Sequence, residues 1–257
     1  DLNHAETEIN ERVAIVSCMT ANNETGAIQP VTDMANLAHE VGAVFHTDAV
    51  QAVGHIPVSV ANIGCDMLSM SAHKFGGPKG IGALYIREGL KIKPQIYGGG
   101  QERGMRSGTE NVPAIVGMGK AIEIATQNLG SSVNRLNLLS DRLVDMLQYN
   151  APDCMVNSLK TENNGIYKRV PGTVNVSFKG IESESLIARL SLLGIYASAG
   201  SACHAHSSEP SRVLKAMKVP PEYISGTIRF SFDESVSEAD IDYVAFTVGE
   251  CVKAMRG

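Results

Sequence analysis

The sequence predicts an α/β protein built on a partly parallel sheet, followed by a shorter α+β region. Three observations carry that prediction. Val13-Ala14-Ile15-Val16-Ser17-Cys18-Met19 is an apolar run of strand length, the pattern of a strand buried on both faces. Across 30–41, Val31, Met34, Ala35, Leu37, Ala38 and Val41 recur at helical spacing, and Gly42 follows as a stop. Ala43-Val44-Phe45-His46-Thr47 then reads as a second strand ending at Asp48. Strand, helix and strand within about 35 residues form a βαβ unit, which makes the sheet at least partly parallel.

The remaining elements follow in order. A polar loop, Asn22-Asn23-Glu24-Thr25-Gly26, separates the first strand from its helix. A third strand, Met67-Leu68-Ser69-Met70, runs into the loop 71–80, and Gly82-Ala83-Leu84-Tyr85-Ile86 is a strand beyond it. A glycine-rich stretch from Gly98 to Gly108 precedes two helical patterns, at 112–128 and 131–149. From 151 a polar connector leads into strands near 173–178, 195–198 and 227–231, and helices near 183–192 and 237–255. A domain boundary falls near residue 130, giving a larger domain over 1–130 and a smaller one over 131–257.

Composition narrows the function classes. The 257 residues carry 22 Lys and Arg against 27 Asp and Glu, a net charge of −5, and 44 % are apolar. That balance suits an ordinary globular protein with a sizeable core. With no basic block, the electrostatic footprint of a nucleic-acid binder is missing. No apolar run approaches the roughly 18–20 residues of a membrane span, and the N-terminus has no signal- or transit-peptide pattern. Five scattered cysteines, an odd number without CxxC spacing, disfavour a disulfide scaffold or zinc module and fit a reducing cytoplasm.

In an open α/β sheet, ligands gather at the carboxyl ends of parallel strands. Asn23, Asp48 and the pair His73-Lys74 all fall there. Lys74, read alone, is either a solvated charge or a desolvated amine able to form a Schiff base. Asp48, read alone, is either a cap or a partner for a ring nitrogen; together the two are what a pyridoxal phosphate site needs. A second concentration is Ala197-Ser198-Ala199-Gly200-Ser201-Ala202-Cys203-His204-Ala205-His206, where small residues and nearby histidines favour an accessible, reactive thiolate. Cys18, Cys65, Cys154 and Cys251 read as small hydrophobes. Cys203, His204 and His206, at adjacent and next-nearest spacing in one loop and without a fourth ligand, have poor zinc geometry, so no metal site is expected. Arg229, on an alternating strand, is either a surface charge or a planar fork for a carboxylate. The 98–108 stretch lacks Walker spacing and reads as a crossover rather than a phosphate cradle.

Taken together, six ordered motifs resemble the cysteine desulfurases of the NifS/IscS type, within the class V aminotransferase superfamily. They are Ala21-Asn22-Asn23-Glu24-Thr25-Gly26, His46-Thr47-Asp48-Ala49-Val50-Gln51, Ser71-Ala72-His73-Lys74, the run from Gly98 to Asn111, Gly200-Ser201-Ala202-Cys203, and Ile228-Arg229-Phe230-Ser231. Selenocysteine lyases share most of them.

The resemblance implies the fold-type I architecture of pyridoxal phosphate enzymes: a large domain with a mainly parallel sheet, a smaller α+β C-terminal domain, and a homodimer. It implies removal of sulfur from L-cysteine, leaving alanine and a persulfide on Cys203 for an acceptor such as an iron–sulfur scaffold. Residue by residue, Lys74 would link to pyridoxal 5′-phosphate, Asp48 would pair with its ring nitrogen, and Gln51 would bond its phenolic oxygen. Ser71 and His73 would contact the phosphate, Thr109 the phosphate of the other subunit. Asn23 would lie by cofactor and substrate, and Arg229 would hold the substrate carboxylate. Family members also carry more than a hundred residues before the segment matching 15–19, including a ring-stacking His and a phosphate loop, so the resemblance implies a chain lacking that N-terminal part. The alternatives are selenocysteine lyase activity, or a non-catalytic platform for dimerisation or acceptor docking.

Overall fold

A computed structural model describes residues 1–127, 129–159, 168–200 and 211–257. The chain divides into two compact units: the first comprises Asp1–Thr20 and Gln29–Leu129, the second Ala21–Ile28 and Gly130–Gly257.

The first unit begins with α1 (Leu2–Glu8) and is organised around β1 (Ile15–Met19), β2 (Val44–Asp48), β3 (Met67–Ser71) and β4 (Gly82–Ile86). The sheet order is β1-β2-β3-β4; the first three strands are parallel and β4 is antiparallel to β3. Helix α2 (Val31–Glu40) makes the crossover and packs on β1 and β2 through Val31, Ala35 and Ala38. The small side chains let the helix approach the sheet, where Val16, Phe45 and Leu68 complete the core. The short α3 (Val60–Ile63) starts at Ser59, whose side chain accepts from the Asn62 N–H, and stops at left-handed Gly64.

One expectation for β1 is corrected here. Only one of its faces is buried: Val16 is covered, whereas Ile15 is 52 % exposed and Ser17 lies at the surface. Period-2 alternation operates inside what reads as a uniform apolar run. On this open face His46 bridges two neighbouring strands, its Nδ1 2.8 Å from Ser17 Oγ and its Nε2 2.9 Å from Ser69 Oγ.

The base of the sheet is tied by Asp66, which is 1 % exposed. Its carboxylate accepts from the Phe45 N–H at 2.7 Å and meets His39 at 2.9 Å and Arg87 at 2.8 Å. Burial pushes this carboxyl up, but the Phe45 N–H, His39 and Arg87 together outweigh it and hold it below the usual carboxylate range. Helix α4 (Val112–Gln127) closes the unit.

The second unit holds α5 (Leu129–Asn150), β5 (Cys154–Val156), β6 (Thr173–Phe178), α6 (Ser183–Leu192), α7 (Arg212–Ala216), α8 (Pro221–Ile224), β7 (Thr227–Ser231) and α9 (Glu238–Arg256). Strands β5, β6 and β7 form an antiparallel sheet in that order. Leu143, Leu147, Val174, Val176, Phe178, Leu186, Leu190, Ile228, Ile241 and Val248 form its core. Ser237 and Asp240 make a reciprocal capping box that starts α9. The strand expected near 195–198 is not formed among the described residues. Ser198 makes only an isolated bridge to Arg229, on the edge of β7 that β6 leaves free. Cys154, expected in a connector, instead opens β5.

Segment 21–28 joins this unit although it follows β1 in sequence. Asn22 Oδ1 accepts from the Glu24 and Thr25 N–H groups at 2.9 Å each, and Gly26, at φ +75°, completes the turn. The Ala27–Arg169 bridge and the Ser158 hydroxyl, donating to Thr25 O at 2.7 Å, fasten the turn to the unit.

Candidate active site

Parallel strands deliver their last residues to one edge, and in the first unit that edge is polar. Asp48 ends β2 and Ser71 ends β3; Asp48 is in register with Ser69, and the Ala49 N–H donates to Ser69 O at 2.9 Å. The turn after β2 carries Gln51, half-buried, and the Val50 N–H donates to Asp48 Oδ1 at 2.9 Å. One carboxylate oxygen of Asp48 is thus held, and the other accepts no hydrogen bond among the described residues.

Beyond β3 the chain makes a single 3₁₀ turn, Ala72–Phe75, ended by left-handed Gly76. His73 is exposed, and its Nδ1 lies 3.1 Å from Ser71 Oγ. Lys74 is half-buried and its amine pairs with no described acid. A side chain at Gly77 would not fit against the turn, because a Cβ there would stand 2.9 Å from Ala72 Cβ. Asp48, Gln51, Ser71, His73 and Lys74 are therefore brought together at the carboxyl ends of β2 and β3. Thr109 is not among them; it lies on the exposed stretch before α4.

In the second unit Asn23 and Arg229, 206 positions apart, are neighbours: the Arg229 guanidinium donates to Asn23 O at 2.8 Å. Arg229, which could be read as a surface charge, is half-buried on β7. Its main chain exchanges hydrogen bonds with Ser198, at 2.7 Å and 3.1 Å. Cys203 lies outside the described residues. The residues flanking that gap are described, and both adjoin Glu24. Ser211 Oγ donates to Glu24 Oε2 at 2.6 Å, and a Cβ on Gly200 would stand 3.7 Å from the same oxygen. Glu24 itself is 6 % exposed, and the Asn175 side chain donates to its carbonyl at 3.1 Å.

Sequence reasoning passed over Glu24, His46 and His55. His55 Nε2 donates to Lys74 O at 2.7 Å, a link invisible in any local pattern. The remaining four cysteines are free. Burial pushes all four thiols up, Cys154 to about 11, so each stays protonated at neutral pH. Among the described residues no group of three or more His, Cys, Asp or Glu is placed to hold a metal ion, and no helix is long and apolar enough to cross a membrane.

An α/β unit whose parallel strands end at Asp48 and at the turn bearing Lys74, in a chain with a second, α+β unit, defines a class, and comparison with known proteins agrees. Residues 1–244 match the aminotransferase class-V family, and the chain belongs to it. It is 47 % identical over 256 residues to a cysteine desulfurase of Klebsiella pneumoniae, covering 100 % of this chain and 63 % of that protein. A solved NifS-like protein superposes with a TM-score of 0.88 at 38 % identity, over 99 % of this chain and 65 % of the other. A second solved structure, SspA in complex with cysteine, gives 0.70 at 32 % identity, over 91 % and 62 %. The expected fold-type I architecture is the fold of these neighbours. The chain spans less than two thirds of the length of the relatives it matches.

Proposed function

We propose that the protein is a cysteine desulfurase that uses pyridoxal 5′-phosphate and passes the sulfur of L-cysteine to Cys203. The observation that carries this reading is that Asp48, Gln51, Ser71, His73 and Lys74, whose amine pairs with no described acid, lie at the carboxyl ends of β2 and β3. The similarity to cysteine desulfurases and to a cysteine-bound structure supports it.

The donor set fits the cofactor. An amine without an acidic partner suits an aldehyde, an anchored carboxylate suits a protonated ring nitrogen, and an amide suits a phenolic oxygen. Ser71 and His73 suit a phosphate, with Thr109 donated to the other subunit of a homodimer. When bound, the cofactor supplies an aldehyde for amines and a ring that accepts electrons from the substrate Cα. Asp48, steadied by the Val50 N–H, keeps the ring nitrogen protonated by placing a negative charge beside it. The Lys74 amine would act as general base toward the substrate Cα, holding the proton it takes for later return. Arg229, held by Asn23 O, binds the substrate carboxylate with its planar fork. The Cys203 thiolate would attack the substrate sulfur: the sulfur–sulfur bond forms as the carbon–sulfur bond breaks, the released electron pair passes to Cβ and takes up a proton there, and Lys74 returns its proton to Cα before alanine leaves. The persulfide on Cys203 then passes to an acceptor such as an iron–sulfur scaffold, chemistry that needs the reducing conditions of a cytoplasm.

The test is incubation of the full-length holoprotein with L-cysteine. The expected result is alanine released in step with a mass gain of one sulfur on the peptide carrying Cys203. Alanine without that adduct, or no alanine, overturns the reading.

A further inference from the structure

The candidate cofactor-holding groups sit on two segments, 48–51 and 71–74, which the sheet joins only as far as the Ala49–Ser69 hydrogen bond. Beyond the strand ends something else must fix Lys74 relative to Asp48. A 3₁₀ turn of four residues leaves its last carbonyls without partners inside the turn. One of these is Lys74 O, and His55 Nε2 donates to it at 2.7 Å. The residue before His55 brings the two segments into close contact: Gly54, at φ +82°, lies so near Phe75 that a Cβ there would stand 2.6 Å from Phe75 Cβ. Among the described residues no acid pairs with the Lys74 amine, so the placement of its backbone matters to where the amine points.

We infer that His55 is a positioning residue: it locks the Lys74 turn to the segment bearing Asp48 and Gln51 and so aims the lysine amine at its carbonyl partner. The inference rests on the pyridoxal phosphate reading above and adds a residue to it. Because a carbonyl only accepts, His55 must carry a proton on Nε2.

The test uses the full-length protein with three substitutions. His55→Leu removes the donor, His55→Gln keeps an amide donor of similar reach, and Ile63→Val trims the core elsewhere in the same unit. In cofactor-free protein, hydrogen exchange of the 72–77 amides is expected to rise about tenfold in His55→Leu, and no more than about twofold in His55→Gln and Ile63→Val. In the holoprotein, release of the cofactor to a scavenger should accelerate by a similar factor in His55→Leu alone. Unchanged exchange in His55→Leu, a Gln variant as impaired as Leu, or equal acceleration in Ile63→Val overturns the inference. Wild-type protein that takes up no pyridoxal phosphate overturns the functional reading instead, and the exchange result still decides the lock.

Discussion

Two glycines of the first unit separate backbone strain from steric contact. Gly42 and Gly54 have nearly the same backbone, φ +76° and φ +82°. A Cβ at Gly42 meets nothing within 4 Å, whereas one at Gly54 would stand 2.6 Å from Phe75 Cβ and 3.3 Å from Ala125 Cβ. Alanine at either position pays the left-handed penalty of about 1–2 kcal/mol. Only Gly54→Ala adds overpacking, typically about 1–3 kcal/mol, because Phe75 is buried and anchored in the Lys74 turn. Gly42→Ala should therefore lose about 1–2 kcal/mol and Gly54→Ala about 2–5 kcal/mol. Urea unfolding of the cofactor-free full-length protein, followed by circular dichroism, measures both. Gly54→Ala should also slow uptake of pyridoxal phosphate, and Gly42→Ala should not. Equal losses of stability, or uptake slowed equally by both, would refute the placement of the 49–56 turn against the Lys74 turn.

Asp66→Asn should destabilise by about 2–4 kcal/mol at neutral pH, since it leaves buried donors without their anion. Because the folded carboxyl lies below its unfolded value, its contribution is complete above the ordinary carboxylate range and fades as pH falls through the folded value. The gap between wild type and variant should therefore close on acidification, and a gap that stays constant contradicts the ion-pair account. Cys203→Ser should retain the cofactor's absorbance yet form no persulfide. Cys154→Ala should leave transfer unaffected, because a thiol at about 11 is thiolate for only about one part in ten thousand at pH 7. Both are read by peptide mass after L-cysteine treatment.

Much of this architecture is legible in the chain itself. The βαβ unit is written plainly in a strand-length apolar run, a helical stripe and the stop at Gly42, because each of those elements satisfies its own local rule. The exposure of Ile15 is not legible, since the elements packed on the sheet and not the residue decide which face is covered. Helix α3 has only four residues, too few to display a period, and the segment at 195–198 has strand composition without a ladder to join. Within the candidate site, the positions of Asp48 and of the pair His73-Lys74 are legible because parallel strands send their carboxyl ends to one edge, whereas Ser71 is reached only through the family resemblance. Asn23 beside Arg229 is not, because the two are brought together by the 21–28 turn crossing into the other unit. His55 and Glu24 act through single contacts to a carbonyl and a hydroxyl, which no spacing announces.

The claim on which the account turns is that one amine, that of Lys74, receives the coenzyme. Borohydride reduction of the full-length holoprotein, followed by peptide mapping, tests it most directly. The account predicts a pyridoxyl adduct on Lys74 alone, at a stoichiometry near one per chain; an adduct on a different lysine, or none, contradicts it.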